Sequence, residues 1–388
     1  MTMINLFNNE KAPRNLGLYI HIPFCKTKCL YCDFCSFVSR EEDEREQYVD
    51  ALIGEIEARG TREYLVDTVY FGGGTPSLLS AKQIDRILSA VRHNFAISDD
   101  VEITLECNPI THLFDGREYF TDLRKLGINR LSIGIQSAID SELKLIGRRH
   151  TFDEARGTFL CARESGFDNI SIDLMFGIPS QTMESLKISL EQFISLGAEH
   201  ISIYSLQLEE GTPLYKMRQR YSLADDDTVA DMYELVVSAT KEAGYYHYEI
   251  SNFAKGGKES RHNSKYWRLD EYLGLGLAAH SDFSGKRIEN TKDLQKYLLG
   301  EYIENEVEIS CREREFEFLM LGLRTSGGIS KSEFFARFGV NFDEKYGEKV
   351  KKLEKLGYFL QNDEVLALSE SGFEVSNSIL AQILDFDY

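Results

Sequence analysis

The sequence has few of the features that mark membrane, secreted or disordered proteins. Only six of its 388 residues are proline and one is tryptophan, and no low-complexity tract is present, so little room is left for a disordered linker. No apolar run reaches the length of a membrane span, and the N-terminus lacks a charged-then-apolar signal pattern. We therefore expect a protein of the reducing cytoplasm.

Basic residues are also scarce relative to acidic ones. The chain has 44 Lys and Arg against 63 Asp and Glu, which gives a net charge of −19. This balance argues against binding to nucleic acid and against a polybasic membrane anchor, because both surfaces carry negative charge. The hydrophobic fraction of 43% and the length are typical of a globular protein with one large domain and a smaller one.

Three of the seven cysteines are closely spaced near the start of the chain. Cys25, Cys29 and Cys32 form a C-x3-C-x2-C array directly after a short apolar run. Thiolates are the ligands that iron–sulfur clusters prefer, and three of them leave one iron of a four-iron cluster open to a small molecule. A zinc site would usually need a second paired motif, which the sequence lacks, and a disulfide framework does not suit a chain of this length. We therefore expect these three cysteines to bind a metal cluster.

Six short apolar segments alternate with helical segments over residues 17–206. The predicted strands are residues 17–22, 66–71, 101–106, 130–135, 169–174 and 200–206. A helix over residues 40–59 is predicted between the first two. Such alternation indicates parallel strands with right-handed crossovers, in either a barrel or an open doubly wound sheet.

The pattern changes after residue 206. We predict a helix over residues 225–243, a strand over 246–250, a polar loop over 251–272 and a Gly-rich segment over 273–279. Three helices over 313–323, 330–338 and 344–356 then precede a hairpin over 358–368, an order typical of a winged helix. The expected division is a lead-in (1–15), a barrel (16–210), a barrel extension (211–304) and a C-terminal unit (305–388).

Polar residues at or near the ends of the predicted strands are candidates for ligand binding. The second strand ends in a run of glycines followed by Thr75, which could present backbone groups to a ligand, although such a run is more often an ordinary turn. Glu106, Gln136, Arg148 and Asp173 follow or lie in later segments. Together they could bind an amino group, a carboxylate and a ribose, whereas each alone is more often a capping or solvated residue.

The cysteine array resembles the signature of the radical S-adenosyl-L-methionine (SAM) superfamily. The motifs LYIHIPFCKTKCLYCDF, FGGGTPS, LECNP, NRLSIGIQS, GRRH and IDLMFGIPSQT together resemble the coproporphyrinogen III oxidase-like (HemN/HemW) family over almost the whole chain. This resemblance implies an α/β fold, a partial (β/α)6 TIM-type barrel with a small C-terminal winged-helix-like α+β domain. It also implies a 4Fe-4S iron–sulfur cluster and SAM. The residues implied to contact SAM are Tyr19, Gly73, Gly74, Thr75, Glu106, Gln136, Arg148 and Asp173.

Two features favour the HemW branch of haem chaperones over the HemN branch. HemN carries a further cysteine two residues after the third one and a longer N-terminal segment, whereas this chain has Phe34 at that position and 24 residues before Cys25. The segment from His262 to Trp267 reads H-N-x-x-Y-W, which in HemW is associated with haem. An imidazole can ligate haem iron, so His262 is the favoured haem ligand. His247, His280 and Cys35 stay open as alternatives.

The resemblance implies a haem chaperone that binds haem and a SAM-ligated cluster and delivers haem to a haem-accepting protein. The alternative is an oxygen-independent coproporphyrinogen III dehydrogenase that acts by radical SAM oxidative decarboxylation. A third alternative is a SAM-dependent enzyme that modifies haem or opens its ring. No catalytic residue is assigned, and it stays open whether the protein is an enzyme. Expected partners are haem, its acceptor and a reductant protein for the cluster. A homodimer and a peripheral membrane location through the acceptor stay open.

Overall fold

One mixed sheet of twelve strands organises most of the structure. The structure, a computed structural model, describes residues 14–39, 41–109, 116–362 and 364–384. The expected lead-in over residues 1–15 lies outside the described residues except for its last two positions, and so does Arg40 at the predicted start of the first helix. In the described part of the chain, no helix combines the length and apolar character needed to span a bilayer.

The strands are, in chain order, β1 (Arg14–Ile22), β2 (Phe24–Cys25), β3 (Phe37–Val38), β4 (Tyr64–Gly73), β5 (Ala96–Cys107), β6 (Arg130–Gln136), β7 (Ile170–Phe176), β8 (His200–Ser205), β9 (Tyr246–Glu249), β10 (Asn252–Ala254), β11 (Tyr272–Leu275), β12 (His280–Phe283), β13 (Lys286–Asn290), β14 (Ile303–Glu308), β15 (Ile329–Ser330), β16 (Phe359–Gln361) and β17 (Val365–Leu368).

The helices are, in chain order, α1 (Glu42–Arg59), α2 (Ala81–Asn94), α3 (Gly116–Leu126), α4 (Asp140–Leu145), α5 (Phe152–Glu164), α6 (Met183–Leu196), α7 (Pro213–Met217), α8 (Asp226–Glu242), α9 (Arg261–Arg268), α10 (Leu294–Leu298), α11 (Cys311–Gly322), α12 (Lys331–Phe338), α13 (Phe342–Glu354), α14 (Glu370–Glu374) and α15 (Ser376–Ile383).

The centre of the sheet is the expected partial barrel. The strands lie in the order β14-β13-β12-β11-β1-β4-β5-β6-β7-β8-β10-β9. Strands β11, β1, β4, β5, β6, β7 and β8 run parallel, and antiparallel strands extend the sheet at both edges. The six strands predicted from the alternating pattern are β1, β4, β5, β6, β7 and β8. The prediction of six βα units in an incomplete barrel is therefore confirmed.

Alternating side chains explain why these strands pack under helices. On β6, Leu131, Ile133 and Ile135 are fully buried in the hydrophobic core outside the barrel. The surrounding helices begin at well-formed caps. Ser80 starts α2 and Thr151 starts α5, each by accepting a hydrogen bond from a backbone N–H in the first turn of its helix. The strands thus present their apolar face to the helices and leave the other face for the barrel interior.

The segment predicted as a loop over residues 251–272 is in fact structured, so that prediction is wrong. It contains β10 and helix α9. The Ser260 side chain caps α9, and the Glu102 carboxylate accepts hydrogen bonds from the N–H groups of Arg261 and His262 at 3.3 and 3.1 Å. Glu102 lies about 160 positions from these residues, so its contribution to the start of α9 could not be predicted from the local sequence.

The Gly-rich segment after α9 enters the sheet as β11, parallel to β1. A Cβ atom at Gly274 would lie 2.1 Å from the carbonyl oxygen of His280, so this strand position accepts only glycine. The glycines here therefore allow close strand approach rather than forming a flexible loop.

A second hydrophobic core lies in the C-terminal part of the chain. Phe334, Leu366 and Ile383 are fully buried in it. The helices and the hairpin predicted there are present as α11, α12, α13 and the β16–β17 pair, whereas α15 was not predicted. An ion pair between Arg314 and the buried carboxylate of Asp282 joins α11 to the main sheet.

Candidate functional site

The inner face of the barrel strands is polar and encloses a cavity of about 610 Å³. On β6 every second residue lines this cavity, whereas the residues between them are buried among apolar side chains. Lining positions with the same two-residue spacing occur on β7 and β8. The inward residues of these three strands are Arg130, Ser132, Gly134, Gln136, Asp173, Met175, Ser202 and Tyr204. A polar barrel interior of this kind suits a polar ligand.

The three predicted cluster cysteines face this cavity together. Cys25, Cys29 and Cys32 all line it, and Cys25 is 7% exposed. Burial raises the pKa of the Cys25 and Cys32 thiols. Cys35 is half-buried and is not among the lining residues, although its carbonyl oxygen is hydrogen-bonded to Nε2 of His21 at 2.9 Å. The array thus supplies three thiols on one side of the cavity.

The cysteine loop is held from two directions by backbone hydrogen bonds. Leu30 donates to the carbonyl of Ile146 at 3.0 Å and accepts from the N–H of Leu214 at 2.9 Å. On the other side, the N–H of Gly74 donates to the carbonyl of Ile22 at 2.8 Å. The partners in these three hydrogen bonds belong to the segments that follow barrel strands. The fold itself therefore positions the cysteine loop.

Two of the predicted SAM residues contact the cysteine sulfurs. Thr75 Oγ1 donates to Cys25 Sγ at 3.7 Å, and Arg148 Nη1 donates to Cys29 Sγ at 3.5 Å. Donors of this kind stabilise negative charge on sulfur and tune a bound cluster. Both hydrogen bonds therefore favour the thiolate form of the cysteine that they contact.

The donor set fits an iron–sulfur cluster better than a single ion. In the described ranges, no group of three or more His, Cys, Asp or Glu side chains is arranged to hold one metal ion. Thiolates that bind three corners of a cubane lie farther apart than thiolates that share one ion. Three thiols that face a roomy cavity, with hydrogen bonds to two of the sulfurs, are therefore compatible with the cluster.

The glycine run lies against the cysteine loop and next to Glu106. Gly73 adopts φ 109°, and a Cβ atom there would lie 2.5 Å from the His21 ring. A Cβ atom at Gly74 would lie 2.7 Å from the carbonyl oxygen of Phe24. Both positions thus need glycine, and the run supplies an exposed backbone at the cavity wall.

Glu106 is the carboxylate nearest to the glycine run. It accepts hydrogen bonds from the Tyr70 hydroxyl at 2.8 Å and from the N–H of Gly73 at 3.2 Å. Burial raises the pKa of Glu106 to about 7, although the Tyr70 hydrogen bond favours the ionised form. A cationic amino group bound here would favour the ionised form of the Glu106 carboxyl.

Asp173 and Gln136 face the same cavity from neighbouring strands. Burial raises the pKa of Asp173 to about 6, against a hydrogen bond that it accepts from Ser132 at 3.2 Å. Gln136 has a positive φ of 81°, and its Oε1 accepts from the Tyr204 hydroxyl at 2.9 Å. A non-glycine residue in this conformation is strained, and such strain concentrates at functional sites.

Tyr19 is the predicted SAM residue that the cavity does not include among its lining. Its hydroxyl is hydrogen-bonded to Nδ1 of His21 at 3.0 Å, and its ring stacks on Tyr70 with centroids 6.3 Å apart. Tyr19 therefore packs against Tyr70 and the glycine run without lining the cavity.

His262 is buried at the opposite end of the barrel from the cysteines. It is 0% exposed, its Nδ1 is 2.8 Å from Thr68 Oγ1, and its Nε2 is 2.9 Å from the Tyr266 hydroxyl. Burial lowers the pKa of His262 to about 3, so the ring is neutral. Helix α9 thus closes the barrel at the start of the strands, and both ring nitrogens of His262 are engaged within it.

Several cavity residues were missed from sequence. They are Tyr70, Arg130, Ser132, Ser202, Tyr204 and Asn263. The signal that could have identified most of them is the two-residue alternation within the strands, since Arg130 and Ser132 share a face with Gln136. Asn263 lies on a helix that the sequence did not predict.

The comparisons with known proteins agree with this geometry. A sequence model described as the radical SAM superfamily matches residues 19–193, and one described as the HemN C-terminal domain matches residues 309–375. The radical SAM domain implies an iron–sulfur cluster and SAM. A solved structure of coproporphyrinogen III oxidase (HemN) from Escherichia coli has a TM-score of 0.84 at 24% identity, covering 97% of this chain and 92% of that chain. This likeness shows the fold.

Curated relatives are similar over nearly their whole length. Heme chaperone HemW from Lactococcus lactis is 35% identical, with 94% of this chain and 96% of that protein covered. Heme chaperone HemW from Bacillus subtilis is also 35% identical, with 94% of this chain and 98% of that protein covered. The chain therefore belongs to the HemW family of the radical SAM superfamily.

Proposed function

We propose that this protein is a haem chaperone, which binds haem and a SAM-ligated 4Fe-4S cluster and passes haem to an acceptor protein. The observation that carries the proposal is the similarity at 35% identity over 94% of the chain to proteins named Heme chaperone HemW. The polar cavity that collects the three cysteines is compatible with the cluster and with SAM.

The cluster and SAM would occupy the cavity between the cysteine loop and the barrel interior. Cys25, Cys29 and Cys32 would hold the cluster, which when bound supplies electrons and an open coordination position for SAM. Glu106, already bonded to the glycine run, would accept hydrogen bonds from the SAM amino group.

The remaining residues would divide the other polar groups of SAM between them. Arg148 would bind the carboxylate while its Nη1 stays on the Cys29 sulfur, because its Nε has no partner in the described part of the chain. Asp173 would accept from the ribose hydroxyls. Gly73, Gly74, Thr75 and Gln136 would shape the wall, and Tyr19 would act through Tyr70.

Haem is proposed to bind beside helix α9. Trp267, the only tryptophan of the chain, lines a second cavity of about 610 Å³ between α9 and the C-terminal unit. Arg261 and Arg268 line it as well and could meet carboxylates. For His262 to ligate the iron, its Nε2 must first release the Tyr266 hydroxyl, so this role requires α9 to move.

Partners beyond haem are part of the same proposal. Phe34 lies between Cys32 and Cys35, lines the cavity and is 66% exposed, so a reductant protein could contact an apolar side chain next to the cluster loop. The proposal also includes a cytoplasmic location and a haem protein that accepts the haem. For coproporphyrinogen III decarboxylation, the likeness to HemN supports the fold alone.

Separate titrations with haem and coproporphyrinogen III after anaerobic reconstitution with iron and sulfide test the proposal. We expect haem to bind stoichiometrically, and haem-loaded protein to transfer haem to an apo-haem protein. We expect no conversion of coproporphyrinogen III when SAM and reductant are present. Vinyl-bearing product with SAM consumption, or failure to bind haem, would overturn the proposal.

A further inference from the structure

Arg130 is a buried cation at the start of β6 whose Nε lacks a hydrogen-bond partner in the described part of the chain. Its side chain is 1% exposed and is among the largest fully buried side chains. Its Nε has no hydrogen-bond partner among the residues that the structure describes. Because a buried donor without a hydrogen-bond partner costs free energy, this arrangement needs an explanation.

The neighbouring carboxylates do not neutralise Arg130 directly. Glu106 is bonded to Tyr70 and Gly73, and Asp173 is bonded to Ser132. Both are close enough for Arg130 to lower their pKa values, yet neither forms an ion pair with it. The Nε donor of Arg130 therefore remains available to another group.

Arg130 lines the same cavity as the cysteines, but at the amino end of its strand, whereas Gln136 lies at the carboxyl end. Ser202, Asn252 and Asn263 line the cavity too, and Asn252 Oδ1 is a second buried atom without a partner in the described residues. A ligand that reaches this end would meet one cation and several neutral polar groups.

The two buried imidazoles near Arg130 add no positive charge. Burial lowers the pKa of His262 to about 3 and that of His200 well below its usual value, and Arg130 contributes to both shifts. A single guanidinium with the carboxyls of Glu106 and Asp173 nearby matches one singly charged, planar anion better than a phosphate, which carries more negative charge.

We propose that Arg130 forms a carboxylate-binding subsite at the floor of the barrel cavity, for a ligand other than SAM. The ligand's carboxylate would accept hydrogen bonds from the guanidinium, and the rest of the ligand would extend toward the cysteine loop. This subsite does not depend on haem transfer, since it follows from the available Nε donor of Arg130 and the cavity alone.

Fluorine NMR with a small probe tests the subsite on the full-length protein. Trifluoroacetate is titrated with wild type and with Arg130→Gln, and trifluoroacetamide is the uncharged control probe. Arg156→Gln is the matched variant, because Arg156 is 52% exposed on α5 and lies outside the cavity lining. We expect trifluoroacetate to bind wild type and Arg156→Gln equally, and Arg130→Gln at least about tenfold more weakly, as the loss of a charge-assisted hydrogen bond predicts.

Competition and a charge-conserving variant keep the result interpretable. Unlabelled acetate should displace the probe, whereas acetamide should not. If Arg130→Gln does not fold, Arg130→Lys replaces it and should retain weaker binding, because the charge remains while the planar fork is lost. Equal binding by wild type and the Arg130 variant, equal binding of both probes, or stronger displacement by phosphate than by acetate would each overturn the proposal.

Discussion

Arg148 donates from Nη1 to the Cys29 sulfur at 3.5 Å, although 119 residues separate the two in the chain. The same guanidinium donates from Nη2 to the carbonyl of Gly134 on β6. One side chain therefore joins the cysteine loop to the barrel wall that would hold SAM. If Arg148 binds a carboxylate as proposed, this contact would couple that binding to the charge on the Cys29 sulfur.

Removal of one cysteine thiol should abolish the cluster. In Cys29→Ala, two of the three thiols of the array remain, and we expect iron and acid-labile sulfide after anaerobic reconstitution to fall to the level of unreconstituted protein. Cys311→Ala is the control, because Cys311 is exposed at the start of α11 and should leave both contents unchanged. Full iron and sulfide content in Cys29→Ala would contradict the assignment of the cysteines.

A side chain at Gly74 should displace the cysteine loop. The Cβ atom of Gly74→Ala would lie 2.7 Å from the carbonyl oxygen of Phe24 and 2.9 Å from the carbonyl carbon of Pro23, and neither backbone atom can move without the loop. We expect a loss of about 1–3 kcal/mol of unfolding free energy and lower cluster content. Urea unfolding and iron analysis measure the two effects.

The matched control for this substitution is Gly157→Ala. Gly157 is exposed within α5, and a Cβ atom there meets nothing within 4 Å. We expect a gain of about 0.5–1 kcal/mol from helix propensity and no change in cluster content. Equal loss of cluster in both variants would show that the contact with Phe24 is not the cause.

The sequence predicted the barrel well because its strands are short apolar runs separated by strong helix signals. It also predicted that Cys25, Glu106 and Asp173 would share a site, since the carboxyl ends of parallel strands meet at one edge of a sheet. The structure brings these residues to one cavity. The strand pattern placed these residues on one side of the predicted sheet, and the family resemblance assigned them to one ligand.

The remaining features depend on contacts between distant segments. Helix α9 is short and polar, and its start is fixed by the distant Glu102 carboxylate as well as by the local Ser260 cap. The hydrogen bonds of His262 to Thr68 and Tyr266 are equally invisible in the sequence, where the H-N-x-x-Y-W motif makes His262 the favoured haem ligand by its resemblance to HemW. Arg130 was missed because an arginine at the start of a strand usually reaches solvent.

Glu106 should make stability depend on pH. Its pKa is raised to about 7 in the folded protein, above the usual value of 4.5, so its contribution is fully present below about 4.5 and is lost as pH rises toward 7. We expect Glu106→Gln to abolish this fall, so that the variant gains up to about 3 kcal/mol relative to wild type between acidic and neutral pH. Urea unfolding across this range measures it.

The control for this pH effect is Glu63→Gln, because Glu63 is exposed. Its stability should follow the wild-type pH profile throughout. A wild-type profile in Glu106→Gln would mean that Glu106 is not protonated preferentially in the folded state. Because the test uses protein without cluster or SAM, its outcome reports on the buried carboxyl alone.

Two substitutions in α9 separate a structural role of His262 from a role as haem ligand. His262→Ala removes a buried ring and leaves the hydroxyls of Thr68 and Tyr266 without partners, so we expect a loss of about 2–4 kcal/mol of unfolding free energy. Tyr266→Phe keeps the imidazole and removes only its Nε2 partner, so we expect a loss of about 1 kcal/mol.

The same pair decides the haem ligand in spectroscopic titrations with haem. If His262 is the ligand, His262→Ala should lose the wild-type haem spectrum, whereas Tyr266→Phe should bind haem at least as tightly as wild type, because Nε2 is already free. Unchanged stoichiometry and spectrum in a folded His262→Ala would remove His262 as the ligand and leave it as a support of the barrel floor. The alternative ligands His247, His280 and Cys35 would then be tested in the same way.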